Sequence, residues 1–309
     1  MQIVPINNGY SYIKSDLGNK FRSTYRETNM SEYCSTGDTL VLDGKAYIIG
    51  DGIYDINKDK TVTEATKLFV LNMLCKHMEF KSTEHFKVLL TAPPMTYVSQ
   101  KDKLPQYLKG SYKVQYNGKT KDIFIDDVTV YPETIMAYLA NNPAQFTRPV
   151  LVIDIGGLTT NMVLIKNGNY NQDSIVSFSN GMYHVEEEVC EFLNSKYMLD
   201  LDSSDMHDFM SQGIYLGKEC KNIIEEEKDA IDNIFNKAVA QIMQKVTIKR
   251  WNPKTCVVLV TGGGGKALFP TIQKFFDTAQ IGANPIFDNL NGLSLLIAKE
   301  NRNEVAIGR

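Results

Sequence analysis

The 309-residue chain has a single tryptophan, four histidines and five cysteines, and none of them falls into a motif. Cys34, Cys75, Cys190, Cys220 and Cys256 are scattered and odd in number, with no Cys-x-x-Cys and no histidine at metal-ligand spacing. They read as free thiols of a reducing cytoplasm rather than as a zinc site or a disulfide frame. Long apolar runs are absent too, and the N-terminal MQIVPINNGYSYIKSD lacks a basic segment followed by an apolar core. Neither export nor membrane spanning is expected. The net charge is only −3, without a dense cluster of lysine and arginine, so direct nucleic-acid contact is not expected. No low-complexity segment or long linker interrupts the chain.

What is present is the composition of an ordinary globular protein, 43% hydrophobic and 22% charged, at a length that suits two domains. Near the N-terminus, Gln2 to Ile6 reads as a strand. Turn residues lead to a second strand, Tyr10 to Lys14, and after Asp16 to Asn19 comes a third extended run, Phe21 to Tyr25. The second half repeats this order: Val150 to Ile155 is a β-branched strand, Asn161 to Ile165 a second, Asn167-Gly168 a hairpin signal, and Ile175 to Phe178 a third. Superposing the turns sets Asn7-Asn8-Gly9-Tyr10-Ser11 over Asp154-Ile155-Gly156-Gly157-Leu158. The offset is one domain length, so a duplicated domain is the economical reading, with two unrelated glycine-turn meanders as the other.

Between the copies, Thr61 to Glu64 fits a capping box for a helix over Ala65 to Met78. Phe86 to Leu90 is a buried strand. Tyr112 to Tyr116 and Ile123 to Thr129 flank Asn117-Gly118, a second hairpin signal. Pro132 suits the first position of a helix over Glu133 to Ala140. Beyond the second meander, apolar spacing predicts a helix from about Tyr183 to Tyr197 and a longer one carrying Ile231, Ile234, Ala238, Val239, Ile242 and Val246 on one face, ended by Trp251-Asn252-Pro253. Cys256 to Val260 reads as a strand, Ala267 to Phe276 as a helix after the run TGGGG (Thr261 to Gly265), and Leu293 to Ala298 as a short helix after Asn289 to Gly292.

The turn after Asp154 carries the chemistry. Glycines let backbone N–H groups approach a ligand, and successive N–H groups form an anion nest. Gly156, Gly157, Leu158, Thr159 and Thr160 offer such donors and two hydroxyls to phosphate, and Asp154 suits a hydrated Mg²⁺, which takes few carboxylates and keeps its waters. A glycine turn with Asp154 closing an Asx-turn is the plainer alternative. Gly262, Gly263, Gly264 and Gly265 follow a strand and precede a helix, but Val260 and Ala267 stand where a P-loop needs glycine and a hydroxyl, and no leading βαβ unit supports a dinucleotide fingerprint. A flat glycine shelf for a base and ribose is left.

Together these motifs resemble those of the actin-like ATPases, and are most similar to the bacterial plasmid-partitioning actins, the ParM group. The family's first phosphate loop, Asp-x-Gly with a lysine seven residues after the Asp, is matched by Asn7-Asn8-Gly9 with Lys14. Its second is matched by Asp154 to Thr160, its adenosine motif by Val260 to Gly265, and its first connecting helix by Val130-Tyr131-Pro132-Glu133-Thr134. Asn7 departs from the family's Asp, and an amide brings no negative charge to Mg²⁺. The resemblance implies an α/β actin-like fold of two duplicated domains around a nucleotide cleft, with residues 1–147 as the first domain, 148–285 as the second and 286–309 returning to the first.

It further implies a filament-forming ATP or GTP hydrolase that segregates plasmid DNA through a centromere-bound adaptor. Glu133 orients the attacking water, or else is only a carboxylate favoured at a helix N-terminus. Lys14 reaches the β/γ-phosphates, or else faces solvent. Lys218, in Gly217-Lys218-Glu219, is set against the ribose, and Asp154 holds Mg²⁺ through water. A small-molecule kinase of the same superfold is the second reading, although no sugar-recognition motif stands out. A membrane-tethered scaffold is a third, and the polar tail KENRNEVAIGR speaks against it.

Overall fold

The computed structural model describes residues 1–29, 37–54, 62–218 and 220–307. Cys34, Thr61 and Glu219 lie outside them. The chain forms two compact units, Met1–Pro143 with Ile286–Arg309, and Ala144–Pro285.

In the first unit, strands β1 (Gln2–Asn8), β2 (Tyr12–Ser15), β3 (Lys20–Arg22), β4 (Thr24–Thr28), β5 (Asp38–Leu42), β6 (Lys45–Ile49), β7 (Ile53–Tyr54), β8 (Thr83–Ala92), β9 (Gly110–Tyr116) and β10 (Lys119–Pro132) make one sheet in the order β3-β2-β1-β8-β10-β9-β5-β6-β4-β7. Helices α1 (Glu64–Met78), α2 (Pro94–Gln100), α3 (Lys103–Leu108) and α4 (Ile135–Ala140) belong to the same unit. Helix α1 is buried nearly all round, from Ala65 to Met78, as expected of a helix apolar on every face. Its cap is Thr63, whose side chain accepts the Thr66 amide at 3.1 Å. The capping box expected over Thr61–Glu64 includes Thr61, outside the described residues. Glu64 is the first helical residue, and its carboxylate accepts the Tyr47 hydroxyl at 2.7 Å.

The expected run Phe21 to Tyr25 is broken at Ser23. This buried residue donates its amide to Ser11 O (2.9 Å) and its hydroxyl to Gly9 O (2.6 Å), so β3 stays beside β2 while β4 leaves to pair with β6 and β7. Asn117 and Gly118 both take positive φ (47° and 78°) between β9 and β10, the geometry of a type I′ hairpin.

The second unit holds β11 (Val150–Ile155), β12 (Thr160–Ile165), β13 (Ile175–Phe178), β14 (Tyr215–Leu216), β15 (Lys221–Asn222), β16 (Val257–Thr261) and β17 (Ala279–Ile281), with α5 (Met182–Tyr197), α6 (Ser203–Gln212), α7 (Ile223–Glu226), α8 (Lys228–Ile248) and α9 (Gly263–Phe275). Its main sheet runs β13-β12-β11-β16-β17. The last helix, α10 (Asp288–Ile307), belongs to the first unit. The duplication is explicit in the pairing. β1 is antiparallel to β2 and parallel to β8, β2 is antiparallel to β3, and β8 is parallel to β10. β11, β12, β13, β16 and β17 repeat those relations in the same chain order. Central β11, VLVIDI, is buried at every position, which is why it reads as an apolar run up to Asp154 instead of alternating.

Two glycine-containing stretches expected to precede helices lie within them. Helix α9 begins at Gly263 and not at Ala267, and α10 begins at Asp288 and contains Asn289 to Gly292. Gly292 is needed in mid-helix because a Cβ there would lie 2.1 Å from Met136 O. Helix α8 stops at Ile248, before Trp251, with Arg250 at φ 55°. Among the described residues, no helix is long and apolar enough to cross a membrane.

One buried histidine in this core carries a pH prediction. Ser15 Oγ donates to Pro5 O at 2.6 Å, so it accepts from His77 Nε2 at 2.9 Å. His77 Nδ1 is then a buried acceptor with no hydrogen-bond partner. Burial holds the His77 pKa below its ordinary value, with Asp16 and Glu79 pulling the other way. The neutral ring is therefore the folded form, and the unfolded chain binds the extra proton. Stability is complete above about pH 6.5 and declines as pH falls below it toward the folded value. The drop in thermal midpoint between pH 7.5 and 5.5 should shrink in His77→Gln, and an unchanged drop would assign the acid sensitivity to other groups.

Candidate functional site

In the first unit the site is built at the carboxyl ends of three parallel strands, where open α/β sheets bind ligands. The ladder pairs Ile6 with Leu90 and Tyr131 with Thr91. Asn7 therefore lies beside Thr91, and Glu133, two residues past Tyr131, shares their face. The side chains form one line: Asn7 Nδ2 donates to Thr91 Oγ1 at 3.1 Å, and Thr91 Oγ1 donates to Glu133 Oε1 at 3.3 Å. Lys14 is the cross-strand partner of Asn7. Its ammonium donates to Ile286 O at 2.9 Å and lies 5.8 Å from the Phe287 ring. Asn8 alternates to the opposite face, where its Oδ1 is buried without a hydrogen bond, so it brings backbone to the turn and not its amide. Gly9 has to be glycine, because a Cβ would sit 2.7 Å from Tyr12 O. Tyr10 and Ser11 complete the half-buried turn, and Ser11 O accepts the Ser23 amide.

Glu133 is not a helix residue. Pro132 ends β10 instead of opening a helix, and α4 starts only at Ile135. Between them Thr134 has φ 64° and ψ −46°, and Ile135 N donates to Glu133 O at 2.5 Å, closing a γ-turn of the strained hand. A β-branched residue at positive φ costs about 1–3 kcal/mol and needs its surroundings to hold it. Glu133 N donates to Ala92 O (2.8 Å), and Thr134 N donates to Asn289 Oδ1 (2.9 Å). Asn289 and Thr91 were not expected as site residues, since only the fold brings them to Glu133.

In the second unit, Gly156 N donates to Thr159 O at 2.9 Å and closes the turn after β11. The turn's carbonyls face the start of α5: Gly156 O accepts Met182 N (2.9 Å), Gly157 O accepts Tyr183 N (2.8 Å), and Leu158 O accepts Gly181 N (3.2 Å). The peptides of this turn are trans, so the N–H groups of Gly157, Leu158 and Thr159, each opposite one of those carbonyls, point away from α5. Three successive amides so aimed are a nest for an anion. The Thr160 hydroxyl, expected as a phosphate donor, instead donates to Asn180 O in the core, which leaves Thr159 as the hydroxyl at the turn.

Asp154 is 5% exposed and pairs with Asn161 and Thr261 in the ladders. The glycine run abuts it. A Cβ on Gly262, at φ 85°, would lie 2.5 Å from Asp154 Oδ1 and 2.3 Å from Ile155 O, and one on Gly264 would lie 2.6 Å from the Ile155 side chain. Gly264 and Gly265 are buried, and only Gly263 meets open space. The expected flat shelf is thus the first turn of α9 packed onto the end of β11. Lys218 is exposed in the turn between β14 and β15, with no hydrogen bond or ion pair to these residues.

Two family models match the chain: the actin-like protein N-terminal domain over residues 6–135, and the C-terminal domain of the archaeal MreB-like actin homologue over residues 152–274. No curated protein sequence matches it. Among solved structures, an archaeal actin homologue superposes with a TM-score of 0.80 at 14% identity, covering 97% of this chain and 100% of its own. The same homologue is also solved in complex with ADP. The actin-like protein Alp7A has a TM-score of 0.80 at 15% identity, covering 99% of this chain and 98% of its own. A 15-stranded ParM filament from Clostridium botulinum has a TM-score of 0.75 at 16% identity, covering 94% and 97%. With an actin-like domain model on each unit and a sheet arrangement that repeats between them, the chain belongs to the actin-like ATPase superfamily.

Proposed function

We propose that this protein binds and hydrolyses ATP or GTP, assembles with the nucleotide into a homopolymeric filament, and moves plasmid DNA in the cytoplasm through a centromere-bound adaptor. The observation that carries the reading is the pair of equivalent turns, one backed by Asp154 and the other by the line Asn7–Thr91–Glu133. The nest at Gly157, Leu158 and Thr159 suits phosphate oxygens, and the exposed Gly263 amide at the start of α9 suits the same ligand's nucleoside end. Lys14 exchanges its contact with Ile286 O for the β/γ-phosphates. Glu133, steadied by Thr91, holds a water in line with the γ-phosphate, a positioning task rather than covalent chemistry. Lys218 is assigned to the ribose on family resemblance alone.

The residues fit Mg²⁺ carried in with the triphosphate. Asp154 is a buried carboxylate at the end of β11, and among the described residues no cluster of three or more His, Cys, Asp or Glu forms a cage. Asp154 would hold such an ion through water, and the ion would neutralise phosphate charge. Relatives that form filaments, such as the ParM of Clostridium botulinum, support the assembly step. A net charge of −3 favours an adaptor over direct DNA contact.

Right-angle light scattering should rise on addition of Mg²⁺ with ATP or GTP above a critical protein concentration, without any further substrate. A protein that stays monomeric with both nucleotides at every concentration would overturn the filament reading. Plasmid DNA that pellets with the filaments in the absence of any other protein would overturn the adaptor.

A further inference from the structure

Thr134 is fully buried in a backbone conformation that β-branched residues avoid, and its Oγ1 takes no hydrogen bond. What holds it there is local and specific. Glu133 N is fixed to Ala92 O on one side, Tyr138 N to Thr134 O on the other, and the Thr134 amide in the middle donates to Asn289 Oδ1 at 2.9 Å.

Asn289 is itself firmly placed, in the first turn of α10. Three residues earlier, Ile286 O is held by Lys14, and three residues later, Gly292 lies so close to Met136 O that no side chain fits. The packed apolar side chains Leu89, Met136 and Leu293 seat the same helix against α4 and β8. An amide oxygen presented on so fixed a helix is a strong constraint on a turn that would otherwise relax.

We infer that Asn289 is a positioning residue for Glu133, acting through the γ-turn at Thr134, and this rests on the reading of Glu133 as the group that holds the attacking water. Without the Asn289 oxygen, the Thr134 amide has no acceptor and its φ returns to the negative range. Glu133 opens the same γ-turn, so that change rotates its Cα–Cβ bond and carries the carboxylate off Thr91. Nucleotide contacts made by Lys14 and by the Asp154 turn are not moved.

The test is phosphate release and Mg²⁺-nucleotide affinity for the full chain carrying Asn289→Ala, Thr134→Gly, or both. Asn289→Ala should lower kcat by about tenfold or more, because a small displacement of a positioned group costs that much, while Kd by calorimetry stays within about threefold. Glycine adopts positive φ unaided, so with Thr134→Gly in place the added Asn289→Ala should lower kcat by less than about twofold. A tenfold loss in both backgrounds, or no loss in either, overturns the inference. If Asn289→Ala alone does not fold, a folded double variant within about twofold of Thr134→Gly in kcat shows that the glycine relieves the turn and supports the inference, and a loss of about tenfold or a double variant that also fails to fold overturns it. Glu133→Ala separates the two readings: if it leaves kcat unchanged, the role of Glu133 is wrong, and if it lowers kcat while Asn289→Ala does not, only the role of Asn289 is wrong.

Discussion

Replacing Glu133 by alanine should lower steady-state phosphate release by about 10²–10⁴-fold, the range commonly lost when a positioned carboxylate is removed from a proton-transfer or water-orienting role. Binding should survive, because the groups assigned to the phosphates are Lys14, whose contact with Ile286 O does not involve the Glu133 side chain, and the backbone amides at Gly157, Leu158 and Thr159. Folding should survive as well. The carboxylate accepts from Thr91, but the backbone bond from Glu133 N to Ala92 O does not depend on the side chain. Filaments of Glu133→Ala should therefore form at the usual concentration and persist once formed, since nucleotide is consumed slowly. The measurement is phosphate release in parallel with light scattering. Unchanged release per filament would show Glu133 to be a structural carboxylate at a strand end.

Much of this site could be read from the sequence because its signals are local. The fully buried run of β11, the acid at its end and the glycine turn after it lie within ten residues of one another. The hairpins at Asn117-Gly118 and Asn167-Gly168 are written in residues that tolerate positive φ. What could not be read depends on distant neighbours. Thr91 is 84 residues from Asn7 and Asn289 is 155 from Thr134, and no periodicity links them. The helices α9 and α10 start earlier than the sequence suggests, at Gly263 and Asp288, for a related reason. Glycine within a few positions of a helix start signals a turn, but here the missing side chain makes room for Ile155 and for Met136 O inside helices that continue.

The departure at Asn7 acquires a reason from the same geometry. Thr91 has one hydroxyl proton, and Glu133 accepts it, so Thr91 can only accept from its other neighbour. An amide supplies that donor at 3.1 Å, whereas a carboxylate would compete with Glu133 for the single proton. Asn7 therefore belongs to the Glu133 arm of the site. This leaves Asp154 as the acid of the two equivalent turns.

Asp154→Asn should weaken Mg²⁺-dependent nucleotide binding by roughly 10- to 100-fold, the loss expected for a hydrogen bond to a charged group at about 1.5–3 kcal/mol. Asn7→Ala should change that affinity by no more than about threefold, because it removes a hydrogen bond between neutral groups worth about 0.5–1.5 kcal/mol, and that bond is made to Thr91 and not to the ligand. Its effect should appear in kcat, through a Thr91 hydroxyl that no longer has a fixed direction toward Glu133. The fold should tolerate Asp154→Asn, as the pairing of β11 with β12 and β16 is made by the backbone. The decisive measurement is calorimetric affinity for the nucleotide with Mg²⁺ and with chelator, on both variants. In chelator, Asp154→Asn should bind as well as the unaltered protein or slightly better, since an acid beside the nest repels a bare triphosphate. Equal losses of the Mg²⁺-dependent part in the two variants would mean that both turns hold the metal, and the assignment of Asn7 to Glu133 would then be wrong.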